Sequence, residues 1–117
     1  MTGTVSAIYV YPVPGEPGRA LSPAVVTEAG LDGDRHRGAP ISIVTADVYA
    51  ASAPRANLVV ELTPAELDEL IGHRMLVGEV ALELVERNAR CGLVYAVVAE
   101  PGSIRTGDSV GAGEPSA

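Results

Sequence analysis

The segment RMLVGEVALELVER, residues 74–87, decides the fold class of this chain. Apolar side chains recur at every second position in its second half, at Val80, Leu82 and Leu84. Because successive side chains of a strand point to opposite faces, this alternation predicts a strand with one buried face. Gly78 divides the segment, so we expect two strands, residues 74–77 and 79–87, joined by a tight turn.

Similar β-rich runs lie on both sides of this segment. We predict strands at residues 4–11, 24–28, 41–44, 57–61, 93–100 and 103–105, with a short last strand around Val110. Pro101 and Gly102 separate two of these runs and predict a hairpin between them. The Pro- and Gly-rich residues 12–18 and the Gly-rich residues 30–40 are predicted to be loops.

Two short helices are predicted between the strands. Thr45 stands at the start of the first helix, which extends to about residue 53. Thr63, Pro64 and Glu66 start the second helix. A Thr cap, a Pro at the first helical position and a Glu at the third are typical of a helix N-terminus.

Short strands at this close spacing, with two short helices, are typical of a mainly β protein. We therefore predict a compact β-barrel of about seven or eight strands whose sheet is antiparallel or mixed. The length of 117 residues fits one domain. We expect that domain to cover residues 1–110, followed by a disordered C-terminal tail at residues 111–117.

The composition excludes several classes of protein. The net charge is −7 and the sequence pI is near 4.6, so the chain does not have the basic surface that nucleic-acid binding requires. No apolar run reaches about 18 residues, so we expect no membrane span. The single cysteine permits no internal disulfide, which is typical of a reducing cytoplasm. None of the eight basic residues is a lysine, so the chain cannot hold pyridoxal phosphate as a Schiff base.

Cys91 is the candidate nucleophile. The thiolate is the reactive form of cysteine, and nearby cations favour it. Arg87 and Arg90 lie within four positions of Cys91, and no carboxylate lies between Glu86 and Glu100 to offset them. The alternative interpretation is a small buried apolar residue, since free cysteine is among the most buried residue types.

Two arginine-containing segments are candidate anion sites. The sequence GDRHR at residues 33–37 places three potential cations within three positions, and guanidinium groups bind phosphate or carboxylate through paired hydrogen bonds. At the start of a predicted strand, Arg55 offers a further cation and Asn57 offers an amide that could read the edge of a heterocycle. The alternatives are a solvated turn at residues 32–33 and an asparagine that ends a turn.

Taken in order, these motifs resemble a MOSC domain, the domain at the C-terminus of molybdenum-cofactor sulfurases. The resemblance rests on the segments GLDGDRH (30–36), ISIV (41–44), RANLVV (55–60), LIGHRMLVGEV (70–80), Cys91 and GSIRTGDSV (102–110). It implies a compact β-barrel in which Cys91 carries a persulfide sulfur or ligates molybdenum. It also implies that a pterin phosphate or similar anion is bound by Arg35, His36, Arg55 and Asn57, with Asp34, Arg37, Arg87 and Arg90 as further candidates.

The resemblance further implies a sulfurtransferase or sulfur carrier in the cytoplasm. A partner cysteine desulfurase, or another sulfur donor, would load Cys91, and the sulfur would pass to a small anionic acceptor. One alternative is a module that binds the molybdenum cofactor, with molybdopterin as ligand and Cys91 as the molybdenum ligand. Another is a non-catalytic small-molecule-binding protein that shares only the fold.

Overall fold

Eleven strands and two short helices form the part of the chain that this computed structural model describes, residues 2–35 and 40–113. In chain order the strands are β1 Thr2–Val10, β2 Arg19–Ala20, β3 Ala24–Thr27, β4 Gly30–Leu31, β5 Ile41–Thr45, β6 Leu58–Val60, β7 Arg74–Val77, β8 Val80–Arg87, β9 Val94–Glu100, β10 Gly102–Ile104 and β11 Ser109–Ala112. The helices are α1 Ala46–Ser52, between β5 and β6, and α2 Pro64–Glu69, between β6 and β7.

Seven of these strands close into a barrel. Their order is β11-β7-β8-β9-β5-β6-β1, and β1 pairs again with β11. Neighbouring strands are antiparallel except β5 and β6, which are parallel and are connected through α1. β2 pairs with the end of β1, while β10, β3 and β4 form a separate three-stranded sheet. The prediction of a mainly β barrel with two short helices is confirmed, and its sheet is mixed.

The core of the barrel is aliphatic, because the inward positions of its strands carry mostly Val, Leu and Ile. In β8, Val80, Leu82 and Leu84 are at most 2% exposed, whereas Glu83 and Val85 are exposed. The alternation predicted from the sequence is therefore confirmed. Burial of each such side chain contributes roughly 1.5–3 kcal/mol, and a shift by one residue would expose the whole buried face, so the core fixes the strand register.

Both predicted helices are present, but their N-termini are stabilised differently. In α2, the Thr63 hydroxyl accepts the Glu66 N–H at 3.1 Å and the Glu66 carboxylate accepts the Thr63 N–H at 2.9 Å, which completes a capping box. Thr45 is the N-cap residue of α1, but its hydroxyl donates to the Asp47 carboxylate at 2.6 Å and does not cap the backbone. This hydrogen bond is the main reason that the pKa of Asp47 lies below its usual value.

The predicted hairpin between residues 93–100 and 103–105 is wrong. β10 pairs with β3, with Ser103 opposite Val25, and not with β9. β9 pairs with β8 on one side over residues 94–100 and with β5 on the other side over residues 94–96. After Pro101 the chain leaves the barrel and completes the smaller sheet.

Smaller differences concern the predicted loops and the tail. β2 was not predicted, and β4 occupies the first two residues of the predicted loop at 30–40. Strands of two residues carry too little periodicity to be recognised in a sequence. β11 extends two residues beyond the predicted boundary at residue 110, because Gly111 and Ala112 pair with β7. Residues 114–117 of the predicted tail lie outside the described residues.

Candidate functional site

A cavity of about 330 Å³ collects several of the candidate residues. Its lining comes from the loop after β1, the loop after β4, β5, the segment before β6, the residue before β9 and β9 itself, through Tyr11, Pro14, Gly15, Asp34, Arg35, Ser42, Arg55, Asn57, Leu93 and Tyr95. The fold thus brings Arg35 to the same cavity as Arg55 and Asn57, which lie much later in the sequence. His36 and Arg37 lie outside the described residues.

Asn57 is buried, and its side-chain amide is fully hydrogen-bonded within the protein. Its Nδ2 donates to the Tyr9 carbonyl at 3.1 Å and to the Asp34 carboxylate at 3.2 Å. Its Oδ1 accepts from the backbone N–H of Ser42 at 2.9 Å and from the Ser42 hydroxyl at 3.2 Å. Because an amide side chain offers two donor hydrogens and two acceptor positions, none remains to read a heterocycle. Asn57 instead connects β1, β5 and the loop after β4.

Asp34 accepts hydrogen bonds from two sides of the cavity. Its Oδ1 accepts the backbone N–H of Tyr11 at 2.7 Å, and its Oδ2 accepts from Asn57 at 3.2 Å. Tyr11 directly follows β1, and Asn57 directly precedes β6. Both carboxylate oxygens of Asp34 are therefore engaged within the protein, although the residue was a candidate ligand contact.

Arg55 lies over the ring of Tyr11, with the guanidinium carbon 4.3 Å from the ring centroid. This distance is within the range of a cation–π interaction. The Tyr11 hydroxyl donates to the Ala56 carbonyl at 3.1 Å, and burial is the main cause that raises the pKa of Tyr11. The phenol therefore stays neutral and keeps this donor role at physiological pH. The flat face of the Tyr11 ring thus packs against the Arg55 guanidinium, the cation that the sequence predicted for anion binding.

Residues 11–18, which we call the β1–β2 loop, form one side of the cavity. Pro14 and Gly15 line it, and the Glu16 N–H donates to the Val13 carbonyl at 3.3 Å. Pro followed by a Gly with φ of +77° is typical of the two central positions of a type II turn. Arg55 Nη1 donates to the Glu16 carbonyl at 2.8 Å and so connects this turn to the segment before β6.

Cys91 lies in a tight segment between β8 and β9, residues 88–93, which we call the Cys91 turn. The Asn88 N–H donates to the Leu93 carbonyl at 2.7 Å, and the Gly92 N–H donates to the Asn88 carbonyl at 3.0 Å. The Asn88 side chain also donates to the Tyr95 hydroxyl at 3.0 Å. Gly92 has φ of +76°, in the left-handed region that favours glycine. The backbone on both sides of Cys91 is therefore held by hydrogen bonds.

The half-buried Cys91 side chain packs against a small apolar cluster that is separate from the barrel core. The buried members of this cluster are Val44, Ala56, Val59 and Leu93. Tyr9 and Tyr49 pack on the same cluster, with ring centroids 5.7 Å apart and ring planes 16° apart. A hydrogen bond with Tyr9 is the main cause that raises the pKa of Tyr49. Leu93 also lines the cavity, whereas Cys91 does not.

The two arginines near Cys91 in the sequence have different surroundings. Arg87 Nε donates to the Asp68 carboxylate at 2.6 Å, and Nη1 donates to the Gly92 carbonyl at 3.2 Å. The expectation that no carboxylate offsets this cation is wrong, because α2 brings Asp68 from 19 positions upstream. Arg87 thus connects the Cys91 turn to α2. Arg90 is exposed, and its backbone N–H donates to the Asn88 side chain at 2.9 Å.

Sequence reasoning missed Tyr11, Ser42 and Tyr95 as cavity residues. The chain has four tyrosines and no Phe or Trp, so its aromatic side chains are few. Two of the four line the cavity, and the other two, Tyr9 and Tyr49, pack on the cluster beside it. The positions of these tyrosines were therefore a signal that could have identified the site.

The alternative in which Cys91 ligates molybdenum stays a prediction. A pterin phosphate on Arg35 and Arg55 would occupy the cavity, but Cys91 is not part of the cavity lining. Within residues 2–35 and 40–113, no group of three or more His, Cys, Asp or Glu side chains is placed to hold a metal ion.

In the same ranges, no helix is long and apolar enough to cross a membrane.

Solved structures with the same fold are known, although neither a protein-family model nor a curated protein sequence matches the chain. YuaD from Bacillus subtilis superposes with a TM-score of 0.75 at 16% identity, over 94% of both chains. YiiM from Escherichia coli superposes with a TM-score of 0.72 at 16% identity, over 100% of this chain and 72% of YiiM. A hypothetical protein gives a TM-score of 0.75 at 15% identity, over 94% of this chain and 67% of its own. YuaD and YiiM are of the MOSC-domain type, so the fold is MOSC-like.

Proposed function

We propose that this protein is a sulfur carrier in which Cys91 holds a persulfide and the cavity holds a small anionic acceptor. The observation that carries this proposal is that the cavity and the apolar cluster around Cys91 have a residue in common. Leu93 lines the cavity and also belongs to the cluster against which the half-buried Cys91 packs. Arg35 and Arg55 supply the positive charge for the acceptor, because both line the cavity.

The transfer would proceed by two thiol–disulfide-type displacements. The Cys91 thiolate attacks the outer sulfur of a persulfide on the donor protein; a new S–S bond forms, and the donor cysteine leaves as a thiolate. A nucleophilic acceptor then attacks the outer sulfur on Cys91, and Cys91 leaves as a thiolate. The sulfur moves without net oxidation of the protein. A cysteine desulfurase fits the donor role, because a chain with no lysine cannot generate the sulfur through its own pyridoxal phosphate.

The sulfur load is tested by mass spectrometry of the intact protein. After incubation with a cysteine desulfurase and cysteine, the wild type should gain one sulfur atom, which a reductant removes. Cys91→Ser should gain none. Sulfite, a small anion that accepts persulfide sulfur to form thiosulfate, should discharge the loaded protein. Equal sulfur uptake by Cys91→Ser would refute the carrier role.

The anion site is tested separately by titration with inorganic phosphate. Arg35→Ala and Arg55→Ala should each weaken binding by about 1.5–3 kcal/mol, the contribution of a hydrogen bond to a charged group. Arg105→Ala is the matched control, because Arg105 is exposed and does not line the cavity. If all three variants bind phosphate like the wild type, the cavity is not an anion site.

A second candidate function is binding without catalysis, which the position of Cys91 outside the cavity lining favours. In that case the protein binds phosphate through Arg35 and Arg55, but Cys91 takes up no sulfur. Iodoacetamide labelling separates the two functions. A carrier cysteine should react readily in the folded protein near neutral pH, whereas a cysteine that only packs the cluster should react after unfolding.

A further inference from the structure

We infer that Asp34 is a positioning residue, whose carboxylate sets the relative placement of the two cavity arginines. This inference rests on the proposed anion site. It gives a role to Asp34, whose charge is opposite to that of the two arginines. Asp34 lines the cavity together with Arg35 and Arg55. A carboxylate there repels an anion, so a role other than ligand contact has to account for its position.

The hydrogen bonds of Asp34 connect it to both sides of Arg55. Its Oδ1 accepts the Tyr11 N–H at 2.7 Å, and the Tyr11 ring lies under the Arg55 guanidinium at 4.3 Å. Its Oδ2 accepts from Asn57 at 3.2 Å, two positions after Arg55 in the chain. Through these two hydrogen bonds, the Asp34 carboxylate positions both the Tyr11 ring that contacts the Arg55 guanidinium and the backbone segment that carries Arg55.

The same carboxylate also positions the backbone of the second cavity arginine, because Arg35 is the next residue in the chain. The orientation of the Asn57 amide is set by its other three hydrogen bonds, which go to Tyr9 and Ser42. The amide therefore offers Asp34 a donor in one fixed direction. Residues 32–35 therefore reach the cavity in one position, and the spacing between the Arg35 and Arg55 backbones follows from it.

The sign of a change in anion affinity distinguishes positioning from simple charge. Asp34→Asn removes a negative charge from the cavity wall, so electrostatics alone predicts tighter phosphate binding. A positioning role predicts weaker binding, because the new amide places a donor opposite the Asn57 donor. We expect the dissociation constant for inorganic phosphate to rise about tenfold, the equivalent of one charged hydrogen bond. Asp34→Glu keeps the charge and moves the carboxylate by one methylene, so it should also weaken binding.

The control is Asp32→Asn, which makes the same charge change at an exposed position two residues away. It should bind phosphate as the wild type does or slightly more tightly. If Asp34→Asn binds phosphate more tightly than the wild type, or if Asp34→Glu binds it equally well, the positioning role is overturned.

A second measurement needs no ligand and separates this inference from the proposed function. In the wild type, the Tyr11 ring current should shift the NMR signals of the Arg55 side chain upfield. That shift should shrink in Asp34→Asn and Asp34→Glu and persist in Asp32→Asn. If wild-type protein does not bind phosphate, the proposed anion site fails while the shift still tests the role of Asp34. An unchanged Arg55 shift in both folded Asp34 variants would refute that role.

Discussion

Replacing Gly92 by alanine should strain the Cys91 turn by an amount that the geometry allows us to estimate. Gly92 has φ of +76°, and an L-residue in the left-handed region costs about 1–2 kcal/mol. A Cβ atom on Gly92 would lie 3.3 Å from Cγ1 of Val48 on α1, so one of the two must move by a few tenths of an ångström. Overpacking of this kind costs roughly a further 1 kcal/mol or more. We expect Gly92→Ala to lower the free energy of unfolding by about 2–3 kcal/mol.

Gly72→Ala is the matched control for this substitution. Gly72 has φ of +87°, but nothing lies within 4 Å of the position of an added Cβ. This variant should therefore show the backbone cost of about 1–2 kcal/mol without the contact with Val48. Urea denaturation measures both free energies, and the difference between the variants isolates the contact.

The same pair of variants tests whether the turn positions Cys91. A displaced turn should change the iodoacetamide labelling rate of Cys91 in folded Gly92→Ala, whereas Gly72→Ala should label like the wild type. If Gly92→Ala is no less stable than Gly72→Ala, the contact with Val48 has no energetic cost. If the two variants label Cys91 at the same rate, Gly92 does not position Cys91.

Two further predictions concern an ion pair and a tyrosine. Arg87→Gln should lower the free energy of unfolding by about 1–2 kcal/mol and speed Cys91 labelling, because it removes the pair with α2 and the bond to the Cys91 turn. Arg74→Gln is its control, since that arginine pairs at 3.5 Å with a similarly exposed glutamate and should cost less than about 1 kcal/mol in urea denaturation. The pKa of Tyr11 is raised in the folded protein. The stability that the neutral Tyr11 phenol contributes is therefore complete below the unfolded pKa of 10.0 and is lost as pH rises through the folded pKa. Denaturation at several pH values above 10 should show a smaller alkaline loss of stability in Tyr11→Phe than in the wild type, and an equal loss would contradict this assignment.

Much of the local structure could be predicted because it depends on neighbours in the sequence. The alternation at Val80, Leu82 and Leu84 predicted a strand with one buried face, and the structure buries that face. The sequence around Thr63 predicted a helix N-terminus, and both hydrogen bonds of its capping box form. In each case the interacting groups lie within four positions of one another, so the tertiary fold need not be known.

Strand pairing and charge pairing could not be predicted in the same way. The proline and glycine at residues 101–102 are typical of a hairpin, but β10 pairs with β3, which lies far upstream in the chain. Which strand β10 meets is decided by the tertiary fold. Similarly, Arg87 near Cys91 predicted an unopposed cation, but the fold places Asp68 beside it.

The sequence by itself determined the mainly β class, the positions of most strands and both helices, and the chemical character of the candidate residues. The absence of lysine and the single cysteine likewise follow from the sequence alone. Only the tertiary structure decided which candidates share a site. It placed Arg35 and Arg55 around one cavity and kept Cys91 outside its lining. It also turned Asn57 from a candidate ligand contact into a fully bonded internal amide, because the hydrogen-bond partners of a buried amide are set by the strands that meet around it.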